Sequence, residues 1–249
     1  MNGKMHQRNF VYKLLWHLVH TVFTIFKCIH DIYLQLECKL IEWRLGNRCE
    51  AQILDNLQKA TAKLKKMPKH LTILLGTEEP SHNDLAKLVL WSLTAGISFI
   101  SFYDVQGKLK MNEEELKESV KRILPKTANV IWHNPECSYK NGFSGPKIHV
   151  QVLTQKDGHK ALVETCKNLS KSNLEISIQA VDEDLRKQYK FPDPDLGIYF
   201  GDYFNLCGYP PWQIRLTEFL NIPSHHNLKD YKLINVLRRY NKCEQRVGK

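Results

Sequence analysis

The chain has 249 residues, 43 % hydrophobic content and a formal net charge of +10, which fits one substantial globular core plus an appendage. The charge is unevenly placed: residues 1–70 carry 12 Lys and Arg against 5 Asp and Glu. A basic excess confined to a hydrophobic arm suits anionic lipid headgroups and argues against nucleic acid, which wants basic residues spread over a folded face. The seven cysteines, Cys28, Cys38, Cys49, Cys137, Cys166, Cys207 and Cys243, contain no Cys-x-x-Cys pair or zinc spacing and read as reduced, cytosol-facing thiols.

Residues 14–26, LLWHLVHTVFTIF, form an uncharged run between Lys13 and Lys27, and apolar character continues through Ile29, Ile32, Tyr33, Leu34 and Leu36. Spanning a bilayer takes about 20 apolar residues, so this segment qualifies only if both lysines snorkel to the headgroups. Trp16, Trp43, Tyr12 and Tyr33 suit an interfacial zone, while His17 and His20 oppose a deep lipid-facing position. Membrane attachment is expected, spanning or lying on the surface, with a core-buried helix as the competing reading. No small-residue cleavage site follows, so the segment is expected to be retained. Residues 1–46 are thus expected to form a membrane-associated arm. A helical connector is expected over 47–69, with Ile53, Leu54, Leu57, Ala60 and Leu64 near helical spacing and Pro68 as its stop.

From residue 70 onward short apolar runs alternate with helical patterns. Strands are predicted over 71–75, 97–103, 148–153 and 196–200, and helices over 83–94, 113–123, 159–169 and 231–243. This alternation predicts an α/β domain, a mainly parallel central sheet flanked by helices, over 70–249. Ligands of such sheets bind beyond the carboxyl ends of the strands, which directs attention to the turns after Leu75, Asp104 and Phe200.

The first of these turns, Gly76-Thr77-Glu78-Glu79-Pro80, is a poor phosphate cradle, because two carboxylates repel a diphosphate and Pro80 has no N–H. It reads instead as an acidic helix cap. In residues 192–219, PDPDLGIYFGDYFNLCGYPPWQIRLTEF, only Asp202 and Asn205 are polar candidates at the turn, and the only basic residue between 188 and 214 is Lys190, before the strand. The chain closes with Glu244-Gln245-Arg246-Val247-Gly248-Lys249, where Arg246 can offer a planar fork to a phosphate and Gly248 permits close backbone approach.

At these residues the sequence resembles the Nogo-B receptor family, the accessory subunit of eukaryotic dehydrodolichyl diphosphate synthase and a divergent branch of the cis-prenyltransferase, or undecaprenyl diphosphate synthase, superfamily. The resemblance covers roughly residues 70–249. It is carried by WSLTAGISFISFYDVQG, by PDPDLGIYFG with PPWQIRLTEF, and by CEQRVGK, in that order. Catalytic members place an Asp-Gly-Asn-x-Arg motif after the first strand, an arginine at the position of Tyr199 and an Arg-x-Ser pair at the positions of Asn205 and Cys207, and none of these is present. The terminal Arg-x-Gly is matched by Arg246, Val247 and Gly248.

The resemblance therefore implies a non-catalytic but required subunit on the cytosolic face of the endoplasmic reticulum membrane. Its tail, through Arg246 and Gly248, would reach into a catalytic partner's site to help position isopentenyl diphosphate. Farnesyl diphosphate and Mg2+ would be held mainly by that partner, while Trp212, Arg215 and Glu218 would build the inter-subunit surface. Ordinary packing competes with the interface role for these three. Two other functions compete: a self-sufficient prenyltransferase using Asp104, Asp195 or Asp202, and a membrane-anchored receptor or binding protein unrelated to prenyl synthesis.

Overall fold

The structure, a computed structural model, describes residues 2–45, 49–125, 127–133, 146–171, 177–189, 191–201 and 203–244, and in the first helix the side chains at 12–29, 32, 33, 36, 39 and 40. Two compact units are present, Met1–Glu50 and Ala51–Lys249.

The first unit is one long helix, α1 (Asn2–Leu45). Leu15, Leu18, Val22, Ile25, Ile29, Ile32 and Leu36 recur at three- and four-residue steps and so share one side, with Lys13, His17, His20, Thr24 and Lys27 opposite. Its described large apolar side chains are 51–68 % exposed. Among the described residues no helix is long and apolar enough to cross a membrane.

The second unit runs α2 (Glu50–Thr61), β1 (His70–Leu74), α3 (His82–Thr94), β2 (Phe99–Asp104), α4 (Lys108–Met111), α5 (Glu113–Ile123), β3 (Asn129–Trp132), β4 (Lys147–Thr154), α6 (His159–Lys171), α7 (Ile178–Tyr189), β5 (Leu196–Phe200), β6 (Glu218–Ile222) and α8 (Asp230–Lys242). The described strands form a six-stranded sheet in the order β3-β4-β2-β1-β5-β6, with every pair parallel. The expected α/β class therefore holds. Strands β3 and β6 and helices α4 and α7 were not read from sequence. Both strands are short sheet edges whose residues gain strand identity from one neighbour each, β4 for β3 and β5 for β6.

The two faces of the sheet differ. One presents Leu71, Ile73, Ile100, Phe102, Val150, Val152, Leu196 and Ile198, all within the main core with buried side chains from α2, α3, α5 and α8. Leu57 of α2 is fully buried there, and Asn56 donates to Asp230 of α8 at 3.3 Å. The opposite face carries His70, Thr72, Phe99, Ser101, Tyr103, His149 and Gln151. A buried polar string crosses it. His70 Nδ1 donates to the Pro192 carbonyl at 2.7 Å, which leaves Nε2 to accept from Ser101 Oγ at 2.9 Å, and that hydroxyl lies 2.9 Å from Thr72 Oγ1.

Candidate functional site

All three turns that the sequence singled out lie at the carboxyl edge of the sheet, and among the described residues each is bonded to other groups of the protein. After β1, Gly76 adopts φ +63°, and a Cβ there would come within 3.1 Å of the Phe200 carbonyl oxygen. The turn is held from the far end of the sequence. His225, on the turn after β6, is fully buried. Its Nε2 accepts the backbone N–H of Ser81 at 3.0 Å. The proton must therefore sit on Nδ1, which donates to Glu78 Oε2 at 2.5 Å, and the same carboxylate accepts the backbone N–H of His225 at 3.2 Å. Burial pulls the imidazole pKa below its ordinary value, against the opposing pull of Glu78.

The expected acidic cap of α3 is thus realised differently. Glu78 clamps His225, Glu79 pairs with Lys108, and Asp84 in the first turn of α3 accepts from Ser81 Oγ at 2.8 Å and from Lys87 at 2.8 Å. The backbone N–H of Ser81, the residue that caps this helix, already has its acceptor.

Among the described residues, one group of three potential metal ligands occurs, Glu78, His225 and His226, with ligand atoms within 4.8 Å of one another. The tautomer opposes metal binding. With Nε2 accepting from Ser81, binding through Nδ1 would require an imidazolate, and Mg2+ also prefers an all-oxygen octahedron. These residues do not fit the Mg2+ that the family resemblance implies.

After β2, the buried Asp104 accepts from Gln106 N–H at 2.9 Å and from Leu109 N–H at 2.8 Å. Its carboxylate is spent on the turn into α4. Asp195 is likewise structural, with Oδ2 accepting the backbone N–H groups of Lys69 at 2.7 Å and His70 at 3.0 Å. Asp202 and Lys190 lie outside the described residues.

After β5, Tyr199 stacks edge-on against Phe204 with ring centroids 5.0 Å apart, and Phe204 meets Phe219 at 5.5 Å. Asn205 Oδ1 accepts from Cys207 N–H at 2.8 Å, while the Cys207 carbonyl accepts from Tyr103 Oη at 2.6 Å. Tyr199 and Asn205 thus lie in an aromatic cluster and a self-bonded turn.

Trp212 packs beside a small cluster of Val181, Leu185 and Tyr189. Its indole N–H donates to Asp182 Oδ1 at 2.8 Å, and Arg215 donates to the same oxygen at 2.9 Å. Arg186 reaches Asp182 Oδ2 at 2.6 Å. These donors, Trp212 first, hold the Asp182 carboxyl below the usual carboxylate range. Asp182 was not singled out in the sequence, because nothing local distinguishes it from other charges on an exposed helix face. Glu218 opens β6 at the amino edge of the sheet, beside the Cys243 thiol, whose pKa is raised by burial and then by Glu218. Helix α8 ends next to it. Arg246 and Gly248 lie outside the described residues.

No protein-family model matches the chain. It is 34 % identical over 202 residues to the dehydrodolichyl diphosphate synthase complex subunit Nus1 of Mus musculus, covering 75 % of this chain and 67 % of that protein. The Homo sapiens subunit of the same name is 32 % identical, with 75 % and 68 % covered, and that of Saccharomyces cerevisiae 27 % identical, with 96 % and 74 % covered. Similar solved folds include lavandulyl diphosphate synthase from Lavandula x intermedia, with a TM-score of 0.52 and 14 % identity over 72 % of this chain and 97 % of that one. A probable undecaprenyl diphosphate synthase from Campylobacter jejuni gives 0.51 and 13 % over 74 % and 100 %. A shared prenyl diphosphate synthase fold and this degree of identity to the complex subunits lead to one conclusion: the chain belongs to the Nus1 family of dehydrodolichyl diphosphate synthase complex subunits.

Proposed function

We propose that this chain is the non-catalytic but required subunit of a dehydrodolichyl diphosphate synthase complex. In that role it supports condensation of isopentenyl diphosphate onto farnesyl diphosphate to make the polyprenyl precursor of dolichol for protein glycosylation. The observation that carries the reading is a contrast: the chain keeps the parallel sheet of the synthases while its carboxyl-edge turns are bonded to themselves. Among the described residues, the named groups at these turns already have partners within the protein, which suits a partner subunit better than a diphosphate-binding one. Asp104 and Asp195, two of the three groups on which a self-sufficient enzyme would depend, are committed to backbone N–H groups, and the third, Asp202, lies outside the described residues.

Condensation needs magnesium to neutralise the departing diphosphate and cations to hold the second one, and in this reading the catalytic subunit supplies both. Arg246 and Gly248 add the fork of the tail to that site. The tail starts beside Glu218 at the amino edge of this chain's own sheet. The edge where ligands bind is a five-residue strand away, roughly 16 Å. Service to a neighbour is the more direct use of an arginine rooted there. Trp212, Arg215 and Glu218 contribute to the surface between the subunits.

The division into an arm over 1–46, a connector over 47–69 and a prenyltransferase-like body over 70–249 belongs to the same proposal. The exposed apolar side of α1, with Lys13 and Lys27 opposite, holds the complex on endoplasmic reticulum lipid with the body facing the cytosol.

The test is co-expression with a catalytic cis-prenyltransferase subunit and an assay of polyprenyl diphosphate. Expected are co-purification, little product from either chain alone and full synthesis from the pair. Elongation by the purified chain alone, or by the catalytic chain equally well without it, would overturn the proposal.

A further inference from the structure

The segment leading to Arg246 leaves α8 at a point held from outside the helix. Asn241, in the last turn of α8, accepts two backbone N–H groups of the loop after α2, Lys65 at 2.9 Å and Lys66 at 2.8 Å. Lys66 returns the contact. Its Nζ donates to the Cys243 carbonyl at 2.9 Å and sits 4.4 Å from the centroid of the Tyr240 ring. Within the helix end, Cys243 N–H donates to the Tyr240 carbonyl at 3.0 Å and Cys243 Sγ to the Arg239 carbonyl at 3.3 Å. The last carbonyls of a helix lack partners within it and carry partial negative charge, so a lysine ammonium satisfies both needs at once.

We propose that Lys66 and Asn241 are positioning residues for the reaction, an anchor that fixes where the arginine-bearing segment starts and which way it leaves. The inference rests on the reading that Arg246 acts in a partner's site. Arg246 follows Cys243 by three residues, so its Cα lies within about 10 Å of the anchored one. Over so short a run, the direction in which the chain leaves Cys243 sets the region the guanidinium can occupy. A displacement of about 1 Å in a substrate-holding group can cost up to about a hundredfold in rate. Releasing Cys243 spreads the arginine over many positions, most of them away from the substrate. Neither anchor residue touches substrate, and each acts through the segment it holds.

The experiment uses the full chain reconstituted with its catalytic subunit, isopentenyl diphosphate and farnesyl diphosphate. Four forms are compared: wild type, Lys66→Met with Asn241→Ala, removal of residues 244–249, and the two changes combined. The double substitution is expected to raise KM for isopentenyl diphosphate or lower kcat, together by about tenfold. Co-purification and melting temperature should stay close to wild type. In the chain lacking residues 244–249 the same substitutions should have no further effect. Lys66→Arg, which retains a donor for the carbonyl and a cation for the ring, should restore most of the activity lost in Lys66→Met.

Two results overturn the anchor while leaving the proposed function standing: wild-type kinetics from the double substitution when tail removal is harmful, or an equal fall with and without the tail. A tail whose removal changes nothing overturns the proposed role of Arg246, and the anchor with it. Should Asn241→Ala lower the melting temperature, Lys66→Met alone decides the matter, since it leaves the bonds from Asn241 to the Lys65 and Lys66 N–H groups in place.

Discussion

His225 and Ser81 stand 144 residues apart in the chain and are joined by one hydrogen bond at 3.0 Å, the imidazole accepting the N–H at the start of α3. This contact closes the turn after the first strand of the sheet. Replacing His225 by Ala should leave the half-buried Ser81 N–H and Glu78 carboxylate without their partner, at a cost of about 1–2 kcal/mol. A urea midpoint that does not move would contradict the clamp.

Gly197 pairs directly with Phe219 across β5 and β6, and a Cβ on Gly197 would lie 2.3 Å from the Phe219 ring. Overpacking of this kind costs about 1–3 kcal/mol. Gly197→Ala should destabilise by that much in Phe219 protein and by clearly less in a Phe219→Leu background. Equal losses in the two backgrounds would assign the effect to backbone entropy rather than to the ring.

Burial lowers His70 to about 4 from its ordinary 6.5. The unfolded chain therefore takes up a proton below pH 6.5 that the folded one refuses until about pH 4. Stability is complete above pH 6.5 and falls as the pH drops through that window, by about 3 kcal/mol in all. His225 and His149, also lowered by burial, act in the same direction. His70→Gln should reduce stability at neutral pH and flatten the acid slope. An unchanged slope between pH 6.5 and 4 in denaturant titrations would remove His70 from the account.

Leu57 sits fully buried in the main core although its helix precedes the first strand. Leu57→Ala should cost about 3 kcal/mol. A chain starting at residue 50 is expected to fold, and one starting at residue 66, which lacks α2, to lose cooperative unfolding; calorimetry on the two would reveal the opposite.

In the reconstituted complex, Arg246→Ala should lower turnover by about a hundredfold without disturbing assembly, in line with loss of a charge-assisted contact that positions the isopentenyl diphosphate. Arg246→Lys should recover little, because a point charge does not reproduce the two-pronged guanidinium. Turnover within twofold of wild type for either variant would reject the role of the tail.

What the sequence determined by itself was local. Apolar runs of strand length alternating with helical spacing were enough for the α/β class, and the four strands and most helices read from periodicity formed near their expected limits. The carboxylates at 78 and 79 were also legible, since charge repulsion needs no coordinates to be foreseen, whereas the missing arginines at 199 and 205 followed only from the family resemblance. Edge strands β3 and β6 were not legible, because a five-residue segment such as Glu218–Ile222 becomes a strand through pairing with β5 rather than through its own pattern. The tertiary structure decided the partnerships of single polar groups. His225 with Ser81, Asp182 with Trp212 and Arg215, and Asn241 with Lys65 and Lys66 join residues far apart in sequence. A hydrogen bond depends on angstrom-scale distance and direction, and no spacing along the chain encodes those until the fold has brought the two groups together.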